Sequence, residues 1–558
     1  MKPEMSVPID PLLPPQIGHA GYQGFNPRVE TLCKGDAPFN ARVLPCDILV
    51  EHDVTITMRD GIKLYADIYR PPATSSSEKC PAILSWSPFG KKFNELDWLR
   101  LFTPWSLGIP RDSLSGLEKF EGLDPAEWVQ QGYAIINIDS RGAFDSEGCM
   151  VIMGTQEAED GYDAIEDIAR REWCNGSVGM AGNSQLAIIQ CFIAALQPPS
   201  LKAIAPLEGC GDLYREQFCR GGMYGGSLFD QLIVRHMLRG RHGMESFRLA
   251  HEQRPLMNKW WADKRPDTRK IKIPAYITGT WTNSMHGMGA IRGWMESSTS
   301  KANKWLRFHA YQEWYDRWGC GQAKAELLQY FNRYLKGEQN VLRYETKPAL
   351  QNLVVEDFPI PQTQYKNAYL SSEGELSLSL PGQVGSATYD SQQRSAFVSF
   401  TYKFPQTTKL VGIPKAVLYM SCSATDDMDI YVILCKLSAT GQEQMSLNIP
   451  FDGIPVSTIH EIPKEKRTEM ILYKGPTGML RASRRSDKIA PGTIVRVEIG
   501  IWAMGIEYEA GESIQVQISG QFRGMGDFKS TVPGVNKGTH LVHFGGQYDS
   551  HVVLPFVP

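Results

Sequence analysis

Polar and apolar residues begin to alternate at about Leu49. Asp53-Val-Thr-Ile-Thr-Met58 and Lys63-Leu-Tyr-Ala-Asp-Ile-Tyr69 flank Arg59-Asp-Gly61. That pattern predicts a hairpin with one buried face. Two continuous apolar runs follow, Cys80-Pro-Ala-Ile-Leu-Ser-Trp86 and Gly132-Tyr-Ala-Ile-Ile-Asn-Ile-Asp139. Runs of this kind belong to strands covered on both faces. From Ala158 to Arg171 the apolar residues Tyr162, Ile165, Ile168 and Ala169 fall near helical spacing. Ser177 to Gly182 reads as a third short strand, Leu186 to Leu196 as an apolar helix, and Leu201 to Pro206 as a fourth strand. Strand and helix in alternation predict an α/β fold with a parallel sheet and helices on both faces.

Residues 210–268 interrupt the alternation. They are rich in Arg, Met, Phe, Trp and Gly, carry no strand run, and read as an inserted helical cap. Alternation resumes with Ile273 to Gly279 and Lys304 to His309, and an amphipathic helix from Ala323 to Leu335 stops at Lys336-Gly337. After about residue 345, short alternating segments such as Lys415–Ser421, Met428–Leu434, Ile494–Ile499 and Ser513–Ile518 are separated by Gly, Pro and Asp turns. Many short strands in one block predict a β-sandwich, of jelly-roll type. The expected organisation is an irregular N-terminal arm (1–48), an α/β body in two parts (49–209 and 269–344), the cap (210–268), and a C-terminal β domain (345–558).

Composition narrows the functions. Lys plus Arg is 58 and Asp plus Glu is 61, a net charge of −3, so no basic excess is available for nucleic acid or an anionic membrane surface. No apolar stretch reaches the 18 residues of a membrane span, and Met1 to Pro27 carries no apolar run of signal length, so a cytoplasmic protein is expected. The 11 cysteines have no CxxC pair; Cys191, Cys422 and Cys435 sit in apolar stretches and read as buried thiols, with no metal site. The expected partner is a small molecule; a homodimer stays open.

Ser177-Val-Gly-Met-Ala-Gly182-Asn183-Ser184-Gln185-Leu186-Ala187 holds the chemistry. Gly182-x-Ser184 between a strand and a helix, with small Ala187 three residues on, is close to the G-x-S-x-G nucleophile elbow. Small neighbours let the helix approach the strand through a strained turn, which presents the hydroxyl. The Gln185 N–H then points where an oxyanion forms, and the helix dipole favours negative charge there. A plain Ser N-cap is the competing reading.

Trp173 to Ser184 resembles the elbow of the cocaine-esterase/X-prolyl dipeptidyl-peptidase group, the CocE/NonD family. Met58 to Leu64 with Tyr69-Arg-Pro71 resembles that family's opening hairpin, and Ser87-Pro-Phe-Gly-Lys91 its next loop. Asp139-Ser-Arg-Gly-Ala-Phe-Asp-Ser-Glu-Gly148 resembles its D-x-R-G-x-x-x-S-x-G stretch. His543 to His551, with Leu554-Pro555, resembles its C-terminal finish. The resemblance spans most of residues 50–558. It implies an α/β-hydrolase body, a cap and a jelly roll, and serine hydrolysis of esters, amides or peptides without metal or organic cofactor.

The family's acid follows the strand matched by Ala275 to Gly279, and its His follows the strand matched by Trp305 to His309. Here Asn283 stands near the first position and Glu313 near the second. His286 lies on the first loop, so a transposed triad Ser184–His286–Glu313 keeps one nucleophile, one imidazole and one carboxylate; triads are defined by role and geometry, not chain order. His286 as a pocket or surface residue, Glu313 as a partner of Arg317, and His309 as a competing base remain open. The family often offers a Tyr hydroxyl to the oxyanion where this chain has Phe89. The Gln185 N–H, a backbone N–H near Phe89, or Trp86 is expected to serve. Asn283 and Trp281 are expected to line the pocket, with Trp260-Trp261 a further candidate wall. Asp139, Arg141 and Asp145 read as internal salt-bridge partners, and Glu157, Glu159, Asp160 and Asp163 as a solvated helix face.

The expected function is a serine hydrolase or acyl transferase on an ester, amide or thioester of a small to medium, largely apolar substrate. The alternatives are a non-hydrolytic cyclase, lyase or isomerase on the same scaffold, or an inactive binding relative.

Overall fold

The computed structural model describes residues 7–558 except 73–77, 227–228, 284, 340–353, 469–470, 484–486 and 525–533. The expected boundary at residue 345 therefore lies outside the described residues. The body is a nine-stranded sheet. Its strands are β1 (Arg28–Leu32), β2 (Ile48–Thr57), β3 (Lys63–Arg70), β4 (Cys80–Ser87), β5 (Ala134–Asp139), β6 (Cys174–Asn183), β7 (Leu201–Leu207), β8 (Ala275–Thr280) and β9 (Lys304–His309). Their spatial order is β9-β8-β7-β6-β4-β5-β3-β2-β1. Strands β4 to β9 run parallel, and β1, β2 and β3 extend the sheet antiparallel. All six residues of β5 are buried, which is what its unbroken apolar run demands.

The arm departs from expectation. Arg28–Leu32 forms the sheet's edge strand instead of irregular chain, paired with Ile48–His52. Its middle residues are exposed, so burial leaves little hydrophobic signal in the sequence. Helices α1 (Thr155–Ala169) and α2 (Gln185–Ala195) share one apolar core, and α5 (Gly321–Leu335), which follows α3 (Gly287–Glu296) and α4 (Glu313–Trp318), packs Tyr330, Phe331 and Leu335 into another core with Trp128, Tyr133 and Ile135.

The face of α1 was misjudged from sequence. Glu157 and Asp160 are buried, while Glu159 is only partly buried. Glu157 accepts the indole N–H of fully buried Trp86 at 2.9 Å, and Asp160 takes both arms of Arg141 at 2.6 and 2.7 Å. A buried indole N–H without an acceptor would cost about 1–3 kcal/mol, so the carboxyl belongs inside. Trp86 is thereby committed to Glu157, which removes it as an oxyanion donor. Asp139 contacts Lys91 and Lys119, and Asp145 pairs with Arg241, in agreement with an internal salt-bridge role.

The cap comprises helical segments at Leu213–Phe218, Phe229–Met237, Phe247–Gln253 and Lys259–Asp263. It also contains a strand that the sequence did not reveal, Met244–Glu245 paired with Ile9–Asp10. Trp260 and Trp261 pack against Phe247 and Phe218, in an apolar core continuous with that of the body. His251 is buried against Tyr224 and Cys219. Among the described residues the C-terminal region has two large antiparallel sheets closed over one core, with Lys415–Cys422 and His551–Val557 in the larger and Asp429–Leu437 and Ser513–Ser519 in the smaller, and a short third pairing of Ser446–Leu447 with Leu472–Tyr473. All eleven cysteines are free thiols; burial pushes Cys191 and Cys435 up to about 12, so both stay protonated at neutral pH. Among the described residues no helix is long and apolar enough to cross a membrane.

Candidate active site

The C-terminal ends of the parallel strands converge, as a switch-point site requires. Ser184 stands alone between the end of β6 and the start of α2, at φ 51° and ψ −116°. A non-glycine residue in that region costs roughly 1–3 kcal/mol, and the surroundings hold it there. The Ser184 N–H donates to Glu208 O at 2.9 Å, and the Asn183 N–H to Glu121 O at 3.1 Å. Gly182 makes the turn passable: its φ is +144°, and a β-carbon there would stand 2.6 Å from Leu186 Cβ and 2.9 Å from Glu121 O. Ala187 faces Gly209, where a β-carbon would come within 3.2 Å, so both residues must stay small. Gln185 is the first helical residue, and its N–H has no intrahelical acceptor.

His286 precedes α3 on the loop after β8. Glu313 opens α4 on the loop after β9, where Gln312 Oε1 accepts the Glu313 N–H at 2.8 Å. The structure brings Ser184, His286 and Glu313 together. Ser184 Oγ lies 3.4 Å from His286 Nε2, and His286 Nδ1 lies 2.9 Å from Glu313 Oε2. The first distance is long for a hydrogen bond, as catalytic contacts often are before substrate arrives. His286 and Glu313 are both buried. Burial, the largest single effect, works against the imidazolium, but the Glu313 carboxylate together with Glu208 and Glu216 outweighs it and holds His286 above its ordinary 6.5.

Three expected pocket residues have other work. Trp281 stacks on Phe308 with ring centres 4.0 Å apart and covers Gly505, whose added β-carbon would meet the indole at 2.6 Å. It therefore joins the body to the β domain. Asn283 Oδ1 accepts the Met285 N–H at 2.7 Å, shaping the loop that carries His286. The Phe89 ring packs edge-on to Phe120 at 5.3 Å, in a cluster with Phe93, Trp98 and Trp314. Its N–H reaches Ser87 Oγ at 3.5 Å, a weak bond that a stronger acceptor could replace.

Sequence reasoning missed the groups behind the triad. Glu208, buried after β7, sits 2.5 Å from His309 Nε2, and His309 is 3.7 Å from Asp316. This contact engages His309 away from Ser184. Burial pushes Glu208 up to about 7 against the pull of His309. Glu208, His286 and Glu313 bring ligand atoms within 4.8 Å of one another, a spacing a metal could use. His286 Nδ1 is held by Glu313, while Glu208 Oε1 lies beside His309 without a hydrogen bond of good geometry. Arg317, on α4 with Glu313, donates to Glu121 O, the same carbonyl that anchors the elbow. Burial pushes the carboxyls of Glu95 and Glu121 up, and Arg317 pulls them back. No local motif signals these contacts, since Arg317 and Glu121 stand 196 residues apart.

Comparison with known proteins agrees with this architecture. Residues 60–239 match the family model of the X-Pro dipeptidyl-peptidase (S15 family), and residues 332–553 that of the X-Pro dipeptidyl-peptidase C-terminal non-catalytic domain. The chain is 24% identical to a cocaine esterase from Rhodococcus sp. (strain MB1 Bresler), with 91% of this chain and 98% of that protein aligned. A solved CocE/NonD family hydrolase from Staphylococcus aureus superposes with a TM-score of 0.81 at 27% identity, covering 100% of this chain and 99% of that one. An α-amino acid ester hydrolase, at 16% identity and a TM-score of 0.66 over 91% of this chain and 97% of its own, shares the fold.

Proposed function

We propose that this chain, a serine hydrolase of the CocE/NonD family, cleaves or transfers the acyl group of small to medium, largely apolar esters, amides or thioesters through an acyl-enzyme on Ser184. The observation that carries the reading is the continuous line from Ser184 Oγ through the His286 ring to the Glu313 carboxylate, at 3.4 and 2.9 Å. In this reading His286 Nε2 removes the Ser184 proton as Oγ attacks the carbonyl, then returns it to the leaving group. Glu313 accepts the Nδ1–H, which fixes the tautomer with its lone pair toward Ser184 and stabilises the imidazolium. The Gln185 N–H holds the oxyanion, with the Phe89 N–H as second donor from the loop after the neighbouring strand β4. Water or another nucleophile then releases the acyl group by the reverse proton path.

The near-neutral charge of −3 and the aromatic cluster beside the β4 loop support an apolar acyl group. A p-nitrophenyl ester series from acetate to octanoate tests the reading. Turnover that depends on Ser184, with a burst of one p-nitrophenolate per active site when deacylation is slow, is expected. Undiminished turnover in Ser184→Ala overturns it.

A further inference from the structure

The β domain sends one buried residue into the catalytic loops. Asn448 is 1% exposed and is fixed in its own domain by an N–H bond to Ile471 O at 2.9 Å. Its carbonyl accepts the Gln312 N–H at 2.6 Å, one residue before Glu313. Its side-chain Nδ2 donates to Thr282 O at 3.3 Å, on the loop that leads to His286. One residue thus bridges the loop of the imidazole and the loop of the carboxylate. The loops are also tied directly, by Thr280 Oγ1 to His309 O at 3.0 Å and Thr282 Oγ1 to Ala310 O at 3.2 Å. Thr282 is thus held from both sides, and the Gln312 bond sets the second anchor of Asn448 one residue from Glu313.

We propose that Asn448 is a positioning residue for catalysis, by which the C-terminal domain sets the spacing of His286 and Glu313. The proposal rests on the acyl-enzyme reading above and deepens it. A region matched by a family model described as non-catalytic would then contribute to kcat without touching substrate. The physical basis is preorganisation: a reacting group displaced by about 1 Å can lose about 10²-fold in rate. Loss of the Nδ2 bond frees one loop relative to the other and leaves the Thr282 carbonyl buried without that donor.

The test compares Asn448→Ala and Asn448→Asp with the wild-type protein. The Asp variant keeps the shape but turns the donor into an acceptor facing a carbonyl. Both variants are expected to lose about 10–100-fold in kcat on p-nitrophenyl butyrate, with KM within about twofold. The downfield proton resonance of the His286–Glu313 bond should broaden or shift in both, and fluorophosphonate labelling of Ser184 should slow in parallel. A purely structural role would lower the melting temperature and the folded fraction, leaving kcat per labelled site and the resonance unchanged. Full rate per labelled site in Asn448→Asp overturns the proposal.

Hydrogen exchange on the wild-type protein provides a readout that needs no variant. The Gln312 amide should exchange as slowly as strand amides, and exchange at the rate of an open loop overturns the clamp. If the wild-type protein itself fails to label at Ser184, the acyl-enzyme reading fails instead.

Discussion

Replacing Glu313 by Gln keeps the side chain's shape and removes its charge. In the structure Glu313 Oε2 lies 2.9 Å from His286 Nδ1, and both residues are buried. At an effective dielectric constant of about 20, unit charges at that separation attract by about 6 kcal/mol. The attraction exists only once His286 carries the Ser184 proton, so its loss falls mainly on the transition state. The Gln amide also donates to Nδ1, which places the ring proton on Nε2 and turns it toward Ser184. Together these effects should lower kcat by about 10³–10⁴-fold, the loss known for the corresponding change in other triads. Glu208, close to the same ring, keeps the effect from being larger.

The pH dependence has a definite sign. Glu313 holds His286 above 6.5, so wild-type kcat/KM should fall as pH drops through a value higher than 6.5. In Glu313→Gln the acid limb should move to lower pH, because the imidazolium has lost its main stabiliser. Stopped-flow and steady-state rates on p-nitrophenyl acetate, measured from pH 5 to 9, give both quantities. A variant within tenfold of wild type, or an acid limb that moves upward, refutes the reasoning.

Two further outcomes follow from packing. Trp281→Ala should cost about 3 kcal/mol of stability, the low end for truncating a Trp, because the indole joins Phe308 to the β-domain residue Gly505; a thermal melt unchanged from wild type contradicts that role. Gly289→Ala should abolish turnover or folding, since its β-carbon would stand 1.9 Å from Gly209 O and push α3 and His286 away from the elbow; a folded variant with wild-type kcat contradicts this.

What the sequence revealed follows burial. Strands covered on both faces, such as Ala134–Asp139, leave unbroken apolar runs and are readable. The edge strand Arg28–Leu32 shows its side chains to solvent and reads as loop. Ser184 was readable because an elbow constrains its immediate neighbours. His286 and Glu313 could be placed only through the loops that carry them. The burial of Glu157 and Asp160 was hidden because their partners, Trp86 and Arg141, lie on other strands and loops. The packing of Trp281 was hidden for a related reason: its cover comes from Gly505 in the β domain. Asn448 and Glu208 act through contacts that local pattern does not encode.

The central claim is a nucleophile at Ser184 activated by His286 from the loop after β8. Mass spectrometry of the protein treated with a fluorophosphonate tests it most directly, on wild type and on His286→Gln. The account predicts one adduct, on Ser184, formed at least about 10³-fold more slowly in His286→Gln. Labelling at another residue, or an equal rate in the two proteins, would contradict it.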